Sequence, residues 1–119
     1  MILGIGIDLV DLDKIKSMMN ERFIERVLSL EEQKIFNNIQ NDDKKLSFLG
    51  GRFAAKEAIF KAVSKGDGKA RYIEFSILND DNGKPYVVSH HFDQKVKVHL
   101  SITHTDHHAM CYCLLENND

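Results

Sequence analysis

The chain opens on a short apolar run, Ile2 to Asp8, punctuated by Gly4 and Gly6. That pattern predicts a buried strand whose backbone is approached closely by another element, with Asp8 at its end. Asp11 can cap a helix that carries Ile15, Met18 and Met19 on one side, and Arg22, Phe23, Ile24, Arg26, Val27 and Leu28 continue the amphipathic pattern. Lys14, Lys16, Arg22 and Arg26 fall outside the apolar stripe. Ser29-Leu30-Glu31-Glu32 fits a capping box, in which a serine and a glutamate three positions later satisfy each other's amides, and Ile35, Phe36 and Ile39 give a second helix its apolar side. Asn37 to Lys45 is polar and predicts a loop, after which Leu46, Leu49, Phe53, Ile59, Phe60 and Val63 repeat with near-helical spacing as far as Ser64. From Arg71 the period changes. Tyr72 to Leu78 and Tyr86 to Val88 are β-rich runs flanking Asn79 to Pro85, whose Asn82-Gly83 pair favours the positive torsions of a hairpin. Val96, Val98, Leu100 and Ile102 alternate with Lys97, His99, Ser101 and Thr103 as a half-buried strand. Ala109 to Leu115 is apolar on both faces and reads as central, with His104 to His107 turning between the two.

The order of strand, three helices and four strands, without an internal repeat or linker, predicts a single α+β domain over residues 1–119 with a largely antiparallel C-terminal sheet. A mass of 13.6 kDa leaves no room for two independent cores. With 43% hydrophobic residues, 29% charged and a single proline, the chain buries enough apolar surface to offset its ordering entropy. The formal net charge of -2 gives no broad cationic footprint for nucleic acid, so any anion has to be held by a local cluster. No apolar run approaches the roughly 20 residues that span a bilayer, and Met1 leads into Ile2 without a basic segment or cleavage region, which predicts a cytoplasmic protein. Cys111 and Cys113 share one strand face, are poorly placed to bond to each other, and are expected to be reduced and buried.

Chemistry concentrates around Glu57. It lies about 40° around its helix from Phe53, beside the apolar stripe, where a bare carboxylate is costly unless a cation or donor meets it. Lys61 at i+4 or the neighbouring Lys56 could serve as a solvated ion-pair partner. Alternatively Asp8 meets Glu57 from the side, and two converging carboxylates suit Mg²⁺, which keeps waters and takes phosphate oxygens as its other ligands. Asp8, Asp11 and Asp13 lack the glycine and terminal glutamate of an EF-hand, and Asp11 is assigned to capping. Arg52, Lys56 and Lys61 crowd the carboxylate helix, and Lys65-Gly66-Asp67-Gly68-Lys69 follows its end, where cations and free amides could face a polyphosphate. Gly66 serves equally as a helix C-cap. The surrounding pattern excludes dinucleotide-fold and phosphate-loop signatures, since neither the strand-before, helix-after context nor a lysine-serine or lysine-threonine end is present. The 6 histidines show no zinc-ligand spacing, and no nucleophile elbow surrounds Ser101.

With these segments placed, the chain resembles the holo-acyl-carrier-protein synthases, the small group of 4'-phosphopantetheinyl transferases. Three separated motifs carry the resemblance: Gly4-Ile5-Gly6-Ile7-Asp8-Leu9-Val10, Gly51-Arg52-Phe53-Ala54-Ala55-Lys56-Glu57-Ala58 with Lys61, and Ser101-Ile102-Thr103-His104-Thr105. Asn79-Asp80 with Gly83-Lys84-Pro85 adds a fourth, so the match covers nearly the whole chain. The resemblance implies that Asp8 and Glu57 hold Mg²⁺ against the diphosphate of coenzyme A and that Lys61 joins them in catalysis. It further implies that Arg52, Lys61, Gly66, Lys84, Pro85, His104 and Thr105 line the 3'-phosphoadenosine and phosphate site. An acidic acyl-carrier protein would meet a basic first helix through Lys14, Arg22 and Arg26, with Met18 as an apolar anchor. The reaction implied is Mg²⁺-dependent transfer of 4'-phosphopantetheine from coenzyme A to a carrier-protein serine, releasing adenosine 3',5'-bisphosphate, by a homotrimer with active sites between subunits. Lys65, Asp67, Thr103 and Lys14 depart from the common pattern. A Mg²⁺-dependent nucleotide-diphosphate hydrolase and a non-catalytic nucleotide or coenzyme A binder reuse the same carboxylates or anion loop without a carrier protein.

Overall fold

The computed structural model describes residues 1–63 and 70–118. In chain order the elements are β1 (Ile2–Asp11), α1 (Leu12–Met18), α2 (Glu21–Val27), α3 (Leu30–Asn38), α4 (Asp42–Ala62), a 3-10 turn (Tyr72–Glu74), β2 (Ser76–Asn79), β3 (Pro85–Val88), β4 (Val96–His104) and β5 (His108–Asn117). β5 is central in an antiparallel sheet of order β1-β5-β4, and β2 and β3 form a separate hairpin whose turn places Gly83 at φ 82°.

The expected α+β architecture is present, with three local differences. The long first helix is two helices, because Asn20 accepts a hydrogen bond from Phe23 N–H and so ends one helical run while capping the next. The segment read as a loop before Leu46 is the start of α4: Asn41 caps Lys44 N–H, and Asp42 and Asp43 occupy the first turn, where the helix dipole favours negative charge. Tyr72 lies in the 3-10 turn rather than in a strand, and β2 begins only at Ser76. The capping box of Ser29 and Glu32 forms as read.

What positions the site is the contact between β1 and α4. A Cβ placed on Gly4 would lie 2.1 Å from the Ala62 carbonyl oxygen, and one on Gly6 would lie 1.9 Å from that of Ala58. Glycine is therefore required at both positions, since no side chain fits between the two backbones. Gly6→Ala is expected to cost about 1–3 kcal/mol or more, because α4 itself has to move to admit the methyl group, and a lowered urea midpoint would read that cost. Leu49, Ala54, Ala55, Ala58 and Ile59 of α4 are buried with Cys111, Cys113 and Leu115 in the same core. Both cysteines are free, and burial pushes each thiol up to about 12.

A second, polar junction lies at the heart of the helical layer. Lys56 Nζ donates to Glu32 Oε1 and to the Val27 carbonyl, while Glu32 also accepts from Ser29 N–H and, through Oε2, from Ile77 N–H at 2.8 Å. Lys56 and Glu32 are both completely buried. Lys56 is thus committed to Glu32 and does not serve Glu57, as its position next to Glu57 in the chain had suggested.

Candidate active site

Gly4 meets Ala62 and Gly6 meets Ala58, so a two-residue step along β1, about 7 Å, matches one turn back along α4, about 6 Å. The next residue on that strand face is Asp8, and Lys61 of α4 reaches along the contact to its carboxylate. Asp8 stands inside β1, opposite Cys111, and not at the strand's end as the apolar run alone suggested. Lys61 Nζ donates to Asp8 Oδ1 and to the Ile7 carbonyl, each at 3.0 Å. Lys61 is therefore the partner of Asp8 and not the i+4 partner of Glu57.

Glu57 instead accepts a hydrogen bond at Oε1 from the Tyr72 hydroxyl. Burial, then this hydrogen bond, then the charge of Glu57 push the Tyr72 phenol up to about 12, Arg26 opposes the shift, and the charge of Asp8 adds to it. Both carboxylates thus act on one hydroxyl, which stays protonated and donating at neutral pH. The Tyr72 ring is fixed between Phe53 and Phe60, with centroid separations of 5.5 and 5.4 Å. Among the described residues, no hydrogen bond reaches Asp8 Oδ2 or Glu57 Oε2. Among those residues each carboxylate therefore has one oxygen without a hydrogen-bond donor.

The cation supply continues outward from Tyr72. One cleft is lined by Arg22, Glu25, Arg26, Phe60, Arg71 and Tyr72, and a neighbouring one by Met18, Asn20, Arg22, Phe23 and Arg26. Met18, Arg22 and Arg26 thus line one cleft, which shares Arg22 and Arg26 with the cleft of Tyr72, while Lys14 is exposed on α1 and lines neither. Tyr72 and Arg71 were missed by sequence reasoning. Their run reads as strand, and nothing in its local pattern marks a hydroxyl aimed at a residue 15 positions earlier.

Residues 4–113 match the 4'-phosphopantetheinyl transferase superfamily. The chain belongs to that superfamily. It is 45% identical over 116 residues to the holo-[acyl-carrier-protein] synthase of Acholeplasma laidlawii and 46% identical over 119 residues to that of a Geobacillus species, each match covering 98% of both chains. Its fold superposes on the crystal structure of the Bacillus anthracis holo-(acyl-carrier-protein) synthase in complex with CoA (3',5'-ADP), with a TM-score of 0.88, 36% identity and 98% of both chains covered. This superfamily member is an enzyme, a transferase of the holo-[acyl-carrier-protein] synthase group.

The remaining residues singled out for this transferase do not all share the Asp8–Glu57 face. Arg52 is buried. Its Nε donates to the Ile77 carbonyl at 3.2 Å and its guanidinium lies 4.1 Å over the Phe48 ring. Five residues of helix separate it from Glu57 by about 140°, which turns it toward Glu32 and the hairpin rather than toward a phosphate on the carboxylate face. Burial lowers the Arg52 pKa and the charge of Glu32 raises it. Gly66 lies outside the described residues. Lys84 and Pro85 sit at the β2–β3 turn, where Asp80 Oδ1 accepts from Lys84 N–H. His104 ends β4, and Thr105 closes the β4–β5 turn by accepting from His107 and His108 N–H. Among the described residues, no hydrogen bond or ion pair joins Lys84, Pro85, His104 or Thr105 to Asp8, Glu57 or Lys61.

Proposed function

We propose that this enzyme transfers 4'-phosphopantetheine from coenzyme A to a serine of apo-acyl-carrier protein in a Mg²⁺-dependent reaction. The serine oxygen forms the new bond to the phosphopantetheine phosphorus, and the bond from that phosphorus to the adenosine 3',5'-bisphosphate leaving group breaks. The observation that carries the reading is the two carboxylates on β1 and α4, one oriented by Lys61 and the other by Tyr72, each with an oxygen that no other described residue bonds. Asp8 and Glu57 would hold Mg²⁺, which when bound supplies neutralising charge at the diphosphate. Lys61, half exposed beside them, offers its remaining donor capacity to the leaving phosphate. Tyr72 holds Glu57 in place and, with Phe53 and Phe60, keeps one wall of the site apolar. The cleft of Met18, Arg22 and Arg26 offers positive charge and an apolar anchor to an acidic carrier protein, and it shares Arg22 and Arg26 with the cleft that Tyr72 lines.

Mass spectrometry of an apo-acyl-carrier protein incubated with the enzyme, coenzyme A and Mg²⁺ tests the reading. One added phosphopantetheine on a serine, lost with a chelator, is the expected result. Nucleotide release without modification of the carrier would make the chain a hydrolase, and binding without turnover would make it a binder. Tyr72→Phe removes the donor that orients Glu57 and is expected to raise the Mg²⁺ concentration at half-maximal rate by about 10–100-fold. A metal titration of initial rates reads the effect.

The same proposal includes a cytoplasmic, single-domain homotrimer over residues 1–119. On β1, Ile5, Ile7 and Leu9 point away from α4 and are 59%, 53% and 63% exposed, and Tyr112 extends this apolar face onto β5. Copies packed on that face would bury it, and sites shared between subunits would bring Lys84, Pro85, His104 and Thr105 of one chain to the carboxylates of another. Among the described residues no helix is long and apolar enough to cross a membrane. Light scattering is expected to give three chain masses for the parent and one for Ile5→Glu. A monomeric parent with full activity would remove the shared site.

A further inference from the structure

A second group of ligand atoms lies apart from the carboxylate pair. Glu74, at the end of the 3-10 turn, faces His90 and His91 in the turn that follows β3, and one ligand atom from each falls within 4.8 Å of the others. The separations from Glu74 Oε2 to His90 Nε2 and from Glu74 Oε1 to His91 Nε2 are 3.6 and 3.5 Å. Both lie within ion-pair range, and, after the Arg71 N–H, His91 and His90 are among the groups that hold the Glu74 carboxyl below its usual range. Ligands about 2.0–2.1 Å from a tetrahedral metal stand about 3.4 Å from one another, so one Glu74 oxygen and two ring nitrogens within 4.8 Å of each other would have to draw together around an ion.

Each ligand is held by something else. Glu74 Oε1 accepts from Arg71 N–H at 2.7 Å, which leads the causes keeping its carboxyl below the usual range. The His91 ring stacks on Phe75 at 5.0 Å with planes 10° apart, and the His90 ring lies 4.2 Å from that of His91. His91 N–H donates to Ser89 Oγ, fixing the turn that presents both rings to one side.

We propose that Glu74, His90 and His91 form a binding site for a borderline transition-metal cation, Zn²⁺ first among them, with a fourth position open to water. Two imidazoles and one carboxylate are a donor set for Zn²⁺ and a poor one for Mg²⁺, which prefers oxygen, so the two cations are sorted between the two sites by ligand chemistry. Consecutive histidines in a turn together with a glutamate 16 residues before the first of them form no spacing motif, which is why the histidine pattern read along the chain gave no zinc signal. The site stands independently of the transfer reaction.

Calorimetric titration of the full chain with Zn²⁺, in excess Mg²⁺ to occupy the Asp8–Glu57 carboxylates, tests it. One Zn²⁺ per chain is expected, with affinity falling on the order of 10-fold or more in His90→Ala and in Glu74→Gln and unchanged in His107→Ala. His90 is 70% exposed in its side chain, so its variant is expected to keep the parent's circular dichroism and melting point without metal, and a Zn²⁺-induced rise in melting temperature seen only in the parent is a second readout. Absence of Zn²⁺ binding by the parent, or equal binding by the parent, His90→Ala and Glu74→Gln, overturns the site.

Discussion

Asp8→Ala and Glu57→Gln are each expected to lower phosphopantetheine transfer by about 100–1,000-fold, with both proteins still folded. The size follows from the role proposed for these carboxylates. A metal bound at a transferring phosphoryl group supplies several kcal/mol of charge stabilisation, and each 1.36 kcal/mol is about tenfold in rate. The tolerance of the fold follows from the local contacts. Asp8 loses an ion pair to a lysine that is 56% exposed, and such pairs contribute little because water screens them. Glu57→Gln keeps an acceptor for the Tyr72 hydroxyl, whereas Glu57→Ala strands that hydroxyl against Phe53 and Phe60 and is expected to cost about 1–3 kcal/mol in addition. Single-turnover transfer rates and melting curves separate the two effects. Near-parental rates in Asp8→Ala and Glu57→Gln would remove both residues from the metal site.

Asp8 and Glu57 could each be singled out in the sequence because the cue for each is local. Gly4 and Gly6 announce a backbone that something approaches, and Glu57 stands at the border of an apolar stripe where a charge needs a reason. The alternation that places Asp8 on the same strand face as those glycines completes the argument. What the sequence could not supply is depth. Arg52 and Glu57 read as neighbours on one cationic helix, yet a helix five residues on has turned about 140°, and only the packing of α3 and β2 decides that the Arg52 side is buried. The capping box was readable at three residues' spacing, while the second role of Glu32 depends on Lys56 and Ile77, 24 and 45 positions away. Tyr72 was invisible as a site residue for the same reason. Its neighbours give it a β-rich context, and its function is set by where α4 presents Glu57.

That distant set of contacts makes the Lys56–Glu32 pair a point where a single substitution has a large effect on the fold. Lys56→Met, which keeps most of the volume, is expected to cost about 3–5 kcal/mol, since it leaves a fully buried carboxylate without its cation. In a domain of ordinary stability, about 5–15 kcal/mol, that is a melting temperature lower by roughly 10–25 °C. Glu32→Gln is expected to be milder. The amide oxygen still accepts from one of the backbone N–H groups of Ser29 and Ile77, and Lys56 can shed its charge by losing a proton. Burial already lowers the Lys56 pKa, and the charge and hydrogen bond of Glu32 are what raise it. Without that charge the amine gives up its proton in the folded state at a lower pH than in the unfolded chain. The unfolded state then binds more protons, so stability rises with pH until the ordinary lysine value of 10.5 is reached. Urea denaturation at pH 7 and pH 9 reads the sign: Glu32→Gln is expected to regain stability at the higher pH, and Lys56→Met, which has no amine to discharge, is not. Equal pH dependence in the two variants would mean that Lys56 is not the group titrating at this junction.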